Sequence, residues 1–118
     1  MKFTIYHNPR CSKSHCALNW LYDHQHEVDV IDYLASPLTV NDLKSLAAQL
    51  NQAPSQWIRK EEEAYKTHIQ GKSVTDEELF QLMCEFPKLI QRPIVVWNGQ
   101  AIVARPVELL IDAVNNAD

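Results

Sequence analysis

The sequence predicts an α/β fold in which a strand-helix-strand unit and a strand-strand-helix unit flank a helical segment. Short apolar runs with strand-like alternation occur near both ends, helical apolar spacing fills the middle, and an Asn-Gly pair separates two apolar runs near the C-terminus. At 118 residues, of which 46% are hydrophobic, the chain suits a single core. We therefore expect one domain over residues 1–118, with an all-helical insertion at about residues 36–90.

The N-terminal residues predict a strand, a helix and a second strand. Residues 2–6 alternate apolar and polar side chains, as in a half-buried strand. The helical spacing of Leu18 and Leu21 predicts a helix that fades near residues 23–24, and residues 28–31 form the second short strand. Two strands joined by one helix within some thirty residues indicate a βαβ unit with parallel strands.

The middle of the chain has helical apolar spacing over residues 36–86. Capping boxes mark the starts of two helices, at Thr39 with Asp42 and at Thr75 with Glu78. A short helical turn is predicted over residues 54–58 and ends near Arg59. Three acidic residues that follow it are expected to form a solvated helix face: Glu61, Glu62 and Glu63.

The last third of the chain returns to strands. Residues 94–97 and 100–103 flank Asn98-Gly99, which supplies the positive φ values that a type I′ hairpin turn requires. Pro106 suits the first position of a closing helix. The resulting order, β-α-β, helices, then β-β-α, is that of a thioredoxin-like fold.

Composition excludes several common kinds of site. Only Gly71 and Gly99 are glycines, so neither a dinucleotide fingerprint nor a phosphate-binding P-loop is available. A net charge of −4 without any basic stripe argues against nucleic-acid binding. We see no signal peptide and no apolar run long enough to span a membrane. Three cysteines, an odd number, fit a reducing compartment, and we expect a cytoplasmic protein.

Cys11 is the strongest candidate for chemistry. It follows the first strand and directly precedes the first helix, where unpaired backbone N–H groups and the helix dipole favour a thiolate. His7, Arg10, Ser12 and Ser14 surround it in sequence, and each can favour the charged form. The alternative is a small buried side chain at a strand-helix junction, which is common for intracellular cysteines.

Arginines at the ends of elements are candidates for binding an oxyanion. The planar guanidinium donates two parallel hydrogen bonds and stays charged, and element ends are where sites gather. Arg59, Arg92 and Arg105 all have such positions, although a single arginine at any of them is also compatible with plain solvent exposure. Pro93 stands before the third strand, where a thioredoxin-like fold holds a proline beside its cysteine, and the sequence leaves both a cis and a trans bond open.

Four motifs together resemble those of the glutaredoxin-coupled arsenate reductases. They are HNPRCSKS at residues 7–14, Arg59, LIQRPIVV at residues 89–96, and Arg105-Pro106. The resemblance spans essentially the whole chain and implies a thioredoxin-like fold with Cys11 as nucleophile. It also implies that three arginines hold arsenate, Arg59, Arg92 and Arg105, and that His7 and Ser14 help to stabilise the thiolate. The chain departs from many relatives at His15, where they have arginine.

The resemblance further implies the partners of the reaction. Arsenate is the oxyanion substrate, glutathione is a co-substrate, and a glutaredoxin completes reduction to arsenite. Neither a metal nor a tightly bound cofactor is expected. A zinc site built from Cys11, His15 and Cys16 is disfavoured, because those side chains diverge along the helix.

Two related reaction types lack their residues. A phosphatase-like C-x5-R loop would need arginine at Ala17, and a C-x-x-C dithiol would need cysteine at Ser14. Cys84, inside an apolar helix, is expected to be packed rather than reactive. The alternatives that remain are a non-catalytic Spx-like regulator that binds RNA polymerase and a thiol-dependent reductase of another substrate.

Overall fold

The computed structural model describes residues 2–116. In this part of the chain the strands are β1 (Lys2–His7), β2 (Glu27–Asp32), β3 (Ile94–Trp97) and β4 (Gln100–Val103). The helices are α1 (Ser12–Asp23), α2 (Val40–Leu50), α3 (Glu63–His68), α4 (Asp76–Glu85) and α5 (Val107–Asn115). Short 3₁₀ helices occur at Pro54–Gln56 and Pro87–Leu89. The chain divides into two compact units, Pro37–Gln91 and the segments that flank it.

The flanking segments form the unit that carries the sheet. Its strand order is β2-β1-β3-β4. β1 and β2 are parallel, with Lys2 opposite Glu27 and His7 opposite Asp32, whereas β1 with β3 and β3 with β4 are antiparallel. The predicted α/β, thioredoxin-like fold and the parallel first pair are thus confirmed. Asn98 and Gly99 have φ values of 49° and 74°, which confirms the predicted type I′ turn.

The core of this unit lies between the sheet and the helices α1 and α5. Side chains from the three kinds of element bury each other almost completely: Phe3, Ile5, Ala17, Leu21, Val95, Trp97, Ala104 and Leu110. The closing helix begins at Val107 rather than at Pro106, which caps it with a ψ of 167°. The prediction of a helical Pro106 is therefore wrong, because its backbone is extended.

Leu110 and its neighbour Leu109 offer a matched test of this core. Leu110 is fully buried, whereas Leu109 is 45% exposed on the same helix. We expect Leu110→Ala to lower the free energy of unfolding by about 2–5 kcal/mol, because truncation leaves a cavity. Leu109→Ala should change it by no more than about 0.5 kcal/mol. Urea denaturation of both variants measures the difference, and equal losses would contradict the packing of α5 against the sheet.

The unit Pro37–Gln91 has its own apolar centre, and the largest of its fully buried side chains are Leu43, Leu46, Trp57, Met83, Leu89 and Ile90. Both predicted capping boxes are present, at Thr39 with Asp42 and at Thr75 with Glu78. The short turn ends at Gln56 and does not reach Arg59. Ile58 instead pairs with Ile90 in an antiparallel bridge, which holds this backbone extended. In residues 2–116, no helix has the length and apolar character needed to cross a membrane.

Candidate active site

Sheet pairing gathers three loops at one end of the sheet. Tyr6, near the carboxyl end of β1, pairs with Ile94 at the start of β3. Ile94 also pairs with Val103, at the end of β4. Cys11 lies in the segment that follows β1, Arg92 in the segment that precedes β3, and Arg105 in the segment that follows β4. These three segments therefore meet at this end of the sheet.

Cys11 is the N-cap residue of α1. Its backbone is extended, with φ −104° and ψ 120°, and its N–H donates to the carbonyl of Asn8 at 3.0 Å. No side chain caps this helix end, so the first N–H groups of α1 are available to another acceptor. The backbone N–H groups of Ser14 and Lys13 are close enough to the Cys11 sulfur to lower the pKa of its thiol.

The surroundings of Cys11 favour its thiolate although the residue is only 8% exposed. Burial raises the pKa of the thiol, but the Ser14 N–H, a hydrogen bond from Arg92, the Lys13 N–H and the charge of Arg92 lower it further than burial raises it. The net pKa lies below the ordinary value for cysteine. Arg105 adds a contact from Nη1 to Sγ at 3.8 Å. The arrangement provides a sulfur with a lowered pKa beside the guanidinium groups of Arg92 and Arg105.

Two arginines precede cis-prolines in this unit. The Arg92-Pro93 and Arg105-Pro106 peptide bonds are both cis. Both a cis and a trans bond were compatible with the sequence at Arg92-Pro93, and no sequence feature predicted a cis bond at Arg105-Pro106. The Pro93 carbonyl accepts a hydrogen bond from the Ala104 N–H at 2.9 Å, which ties the two segments together. Within the described chain, Arg92 Nε is buried without a hydrogen-bond partner.

His7 and Ser14, on either side of Cys11 in the sequence, form a buried pair. His7 Nδ1 lies 2.5 Å from Ser14 Oγ, which also accepts the Asn8 N–H at 3.1 Å. Burial and the nearby His15 lower the pKa of His7, and Asp32 partly opposes them. The lowered pKa favours the neutral imidazole, which hydrogen-bonds to Ser14 and adds no positive charge beside the sulfur. That His7 and Ser14 stabilise the thiolate stays a prediction.

The lowered pKa of His7 predicts a pH dependence of stability. The unfolded chain binds a proton near pH 6.5 and the folded chain only at lower pH, so the free energy of unfolding rises with pH across that window. Below the pKa that His7 has in the folded chain, both states bind the proton, and the stability gained from the neutral ring is lost. We expect His7→Gln to flatten the rise between pH 5 and 7, as measured by urea denaturation. An unchanged slope would show that His7 titrates alike in both states.

Arg59 lies in the other unit and is held by carboxylates. Its side chain is 12% exposed, Nε and Nη2 donate to Glu61 at 3.1 and 3.0 Å, and Nη1 pairs with Glu62. The expectation that Glu61, Glu62 and Glu63 form a solvated helix face is wrong in part, because α3 begins at Glu63 with Glu62 as its N-cap. The role of Arg59 stays a prediction.

The remaining sulfurs differ from Cys11. All three cysteines, which lie in the described part of the chain, are unpaired, with Cys16 exposed and Cys84 partly buried. Burial, with a smaller effect of Asp42, raises the pKa of Cys84, as suits a packed and unreactive thiol. Among residues 2–116 no group of three or more His, Cys, Asp or Glu side chains could hold a metal ion.

Comparison with known proteins gives a consistent set of relatives. A model of the ArsC family matches residues 6–110. The chain is 40% identical over 112 residues to the "Uncharacterized protein YfgD" of Escherichia coli K12, covering 93% of this chain and 94% of that one. It is 35% identical over 106 residues to an "Arsenate reductase" of Neisseria meningitidis serogroup A, covering 88% and 91%. A solved structure, "Arsenate reductase from Vibrio cholerae", matches with a TM-score of 0.90 and 44% identity, covering 95% and 97%.

Proposed function

Because the chain belongs to the ArsC family, we propose that it reduces arsenate to arsenite, with Cys11 as the nucleophile. The observation that carries the proposal is the sulfur of Cys11, whose pKa is lowered and which contacts Arg92 and Arg105. A thiolate is the reactive form of cysteine, and fixed cations beside it attract an oxyanion and offset its charge. Relatives that carry the name arsenate reductase support the same reaction.

The first step forms a bond between sulfur and arsenic. The Cys11 thiolate attacks arsenic(V), and one arsenate oxygen takes up protons and leaves as water. Arg92 and Arg105 hold the remaining oxygens by charge-assisted hydrogen bonds. Their fixed positions beside the sulfur supply orientation and charge neutralisation before the reaction begins. Arg59 is the third oxyanion ligand of this proposal, as the family resemblance implies.

Thiols supply the two electrons. Glutathione adds to the arsenic and a second water leaves, so that arsenic bridges Cys11 and glutathione. A glutaredoxin thiolate then attacks the glutathione sulfur, forms a mixed disulfide and leaves the electron pair on arsenic. Water replaces Cys11 on the arsenic(III), which releases arsenite and restores the thiol. These steps need reduced thiols, so we place the reaction in the cytoplasm.

Turnover assays with separate reductants test the proposal. Purified protein is supplied with arsenate, glutathione, glutaredoxin, glutathione reductase and NADPH, and both NADPH oxidation and arsenite are measured. We expect a rate that saturates with arsenate and falls to background without glutaredoxin. Equal rates with a thioredoxin system in place of glutathione and glutaredoxin would contradict the proposed reductant. No arsenate-dependent rate with any thiol would contradict the reaction itself and favour a regulator or a reductase of another substrate.

A further inference from the structure

Two side chains of α1 form hydrogen bonds with the loop that precedes Cys11. Ser14, in the first turn, accepts a hydrogen bond from the Asn8 N–H. His15, the next residue, reaches back six positions, and its Nε2 lies 2.6 Å from the carbonyl oxygen of Pro9. A carbonyl oxygen only accepts, so Nε2 carries the hydrogen and donates it. These bonds hold two successive residues of the loop.

The ring of His15 also contacts the His7 and Ser14 pair. It meets the ring of His7 edge-on, with centroids 4.8 Å apart and planes at 88°. Because Nε2 is committed to Pro9, the His15 ring cannot turn without losing that bond. His15 therefore links the loop on one side to the His7 and Ser14 pair on the other.

The position of this loop matters for the sulfur. Two of the influences that lower the pKa of Cys11 are the backbone N–H groups of Ser14 and Lys13 in the first turn, and both depend on how Cys11 is placed over that turn. The Cys11 N–H is itself bonded to Asn8, next to the Pro9 carbonyl that His15 holds. A shift of Pro9 would move Cys11 relative to its donors.

We propose that His15 is a positioning residue, which holds the nucleophile over the first turn of α1 by donating Nε2–H to the Pro9 carbonyl. It acts through the loop, by its bond to the Pro9 carbonyl. The inference rests on the proposed function only in taking Cys11 as the reacting sulfur.

Alkylation of Cys11 by iodoacetamide, followed from pH 5 to 9, tests this role without arsenate. All proteins carry Cys16→Ser and Cys84→Ser so that only Cys11 reacts. His15→Ala should lower the rate at pH 7 about fivefold, the effect of losing one ordinary hydrogen bond, and should shift the profile to higher pH. His15→Gln keeps an N–H near the position of Nε2 and should stay within about twofold of the parent. His15→Phe keeps the ring but not the donor, and should resemble His15→Ala.

His24→Ala is the matched control. His24 also bonds a backbone carbonyl through its ring, that of Trp20 at 2.9 Å, but at the other end of α1. The variant His24→Ala should leave the pH dependence of the Cys11 alkylation rate unchanged. Any of four results would overturn the proposal. They are an unchanged alkylation profile in His15→Ala, a loss in His15→Gln equal to that in His15→Ala, full reactivity in His15→Phe, and an effect of His24→Ala equal to that of His15→Ala. Because no step of the assay uses arsenate, the proposal on His15 can hold even if arsenate reduction fails.

Discussion

Cys11→Ser is expected to lower arsenate-dependent turnover by about a thousandfold or more. A hydroxyl is ionised far less readily than a thiol, and the helix N-terminus with two guanidinium groups cannot lower its pKa enough to replace a thiolate. Removal of a covalent nucleophile is among the largest single-residue effects in catalysis. The rate is measured as arsenite formed with saturating glutathione and glutaredoxin.

The other cysteines provide the controls for this prediction. Cys16→Ser and Cys84→Ser should keep turnover within about twofold, because neither thiol contributes to the proposed steps. Cys84 in particular has a raised pKa. Loss of turnover in Cys16→Ser to the same extent would mean that Cys16 resolves the intermediate and that glutathione does not. Retained turnover in Cys11→Ser would remove the nucleophile from the proposal.

Arg92→Ala is expected to lower kcat/KM for arsenate by about a hundredfold. Arg92 both hydrogen-bonds to the Cys11 sulfur and acts on it through its charge, and loss of one donor that stabilises developing negative charge typically has an effect of this order. The same change should raise the pKa of Cys11, since two of the influences that lower it disappear. Alkylation should then become fast only at higher pH than in the parent.

Comparison among the arginines makes the test specific. Arg92→Lys should recover only part of the loss, because an ammonium group keeps the charge but not the planar pair of donors. Arg10→Ala is the matched control, since Arg10 is exposed and adjacent to Cys11, and should leave kcat/KM nearly unchanged. If Arg10→Ala were as damaging as Arg92→Ala, net positive charge near the loop would explain binding and the specific contact of Arg92 would not.

Features fixed by local chemistry could be predicted from the sequence. The type I′ turn follows from the φ preferences of Asn98-Gly99, and the capping boxes follow from hydrogen bonds within four residues. The position of Cys11 at the start of α1 follows from the change from strand to helix periodicity around it. Each of these depends on neighbours in sequence, so no tertiary information was needed.

Features that depend on tertiary contacts could not be predicted from the sequence. The extended backbone around Ile58 is imposed by Ile90, thirty-two positions away, and it moves the end of the short helix from Arg59 to Gln56. The ion pairs of Glu61 and Glu62 with Arg59 could not be predicted, because helical periodicity says nothing about which cation a glutamate meets. The bond of His15 to Pro9 could not be predicted either, since it depends on how the loop folds back over α1.

The Asn98-Gly99 turn lies at the opposite end of β3 and β4 from Cys11, yet it determines the distance between two of the site's cations. Arg92 precedes β3 and Arg105 follows β4, and the register of these two strands is fixed by the turn that joins them. A slip of one residue in this hairpin would reverse the sides to which alternate residues of a strand point. The spacing of Arg92 and Arg105 thus depends on a turn at the far end of the hairpin from Cys11.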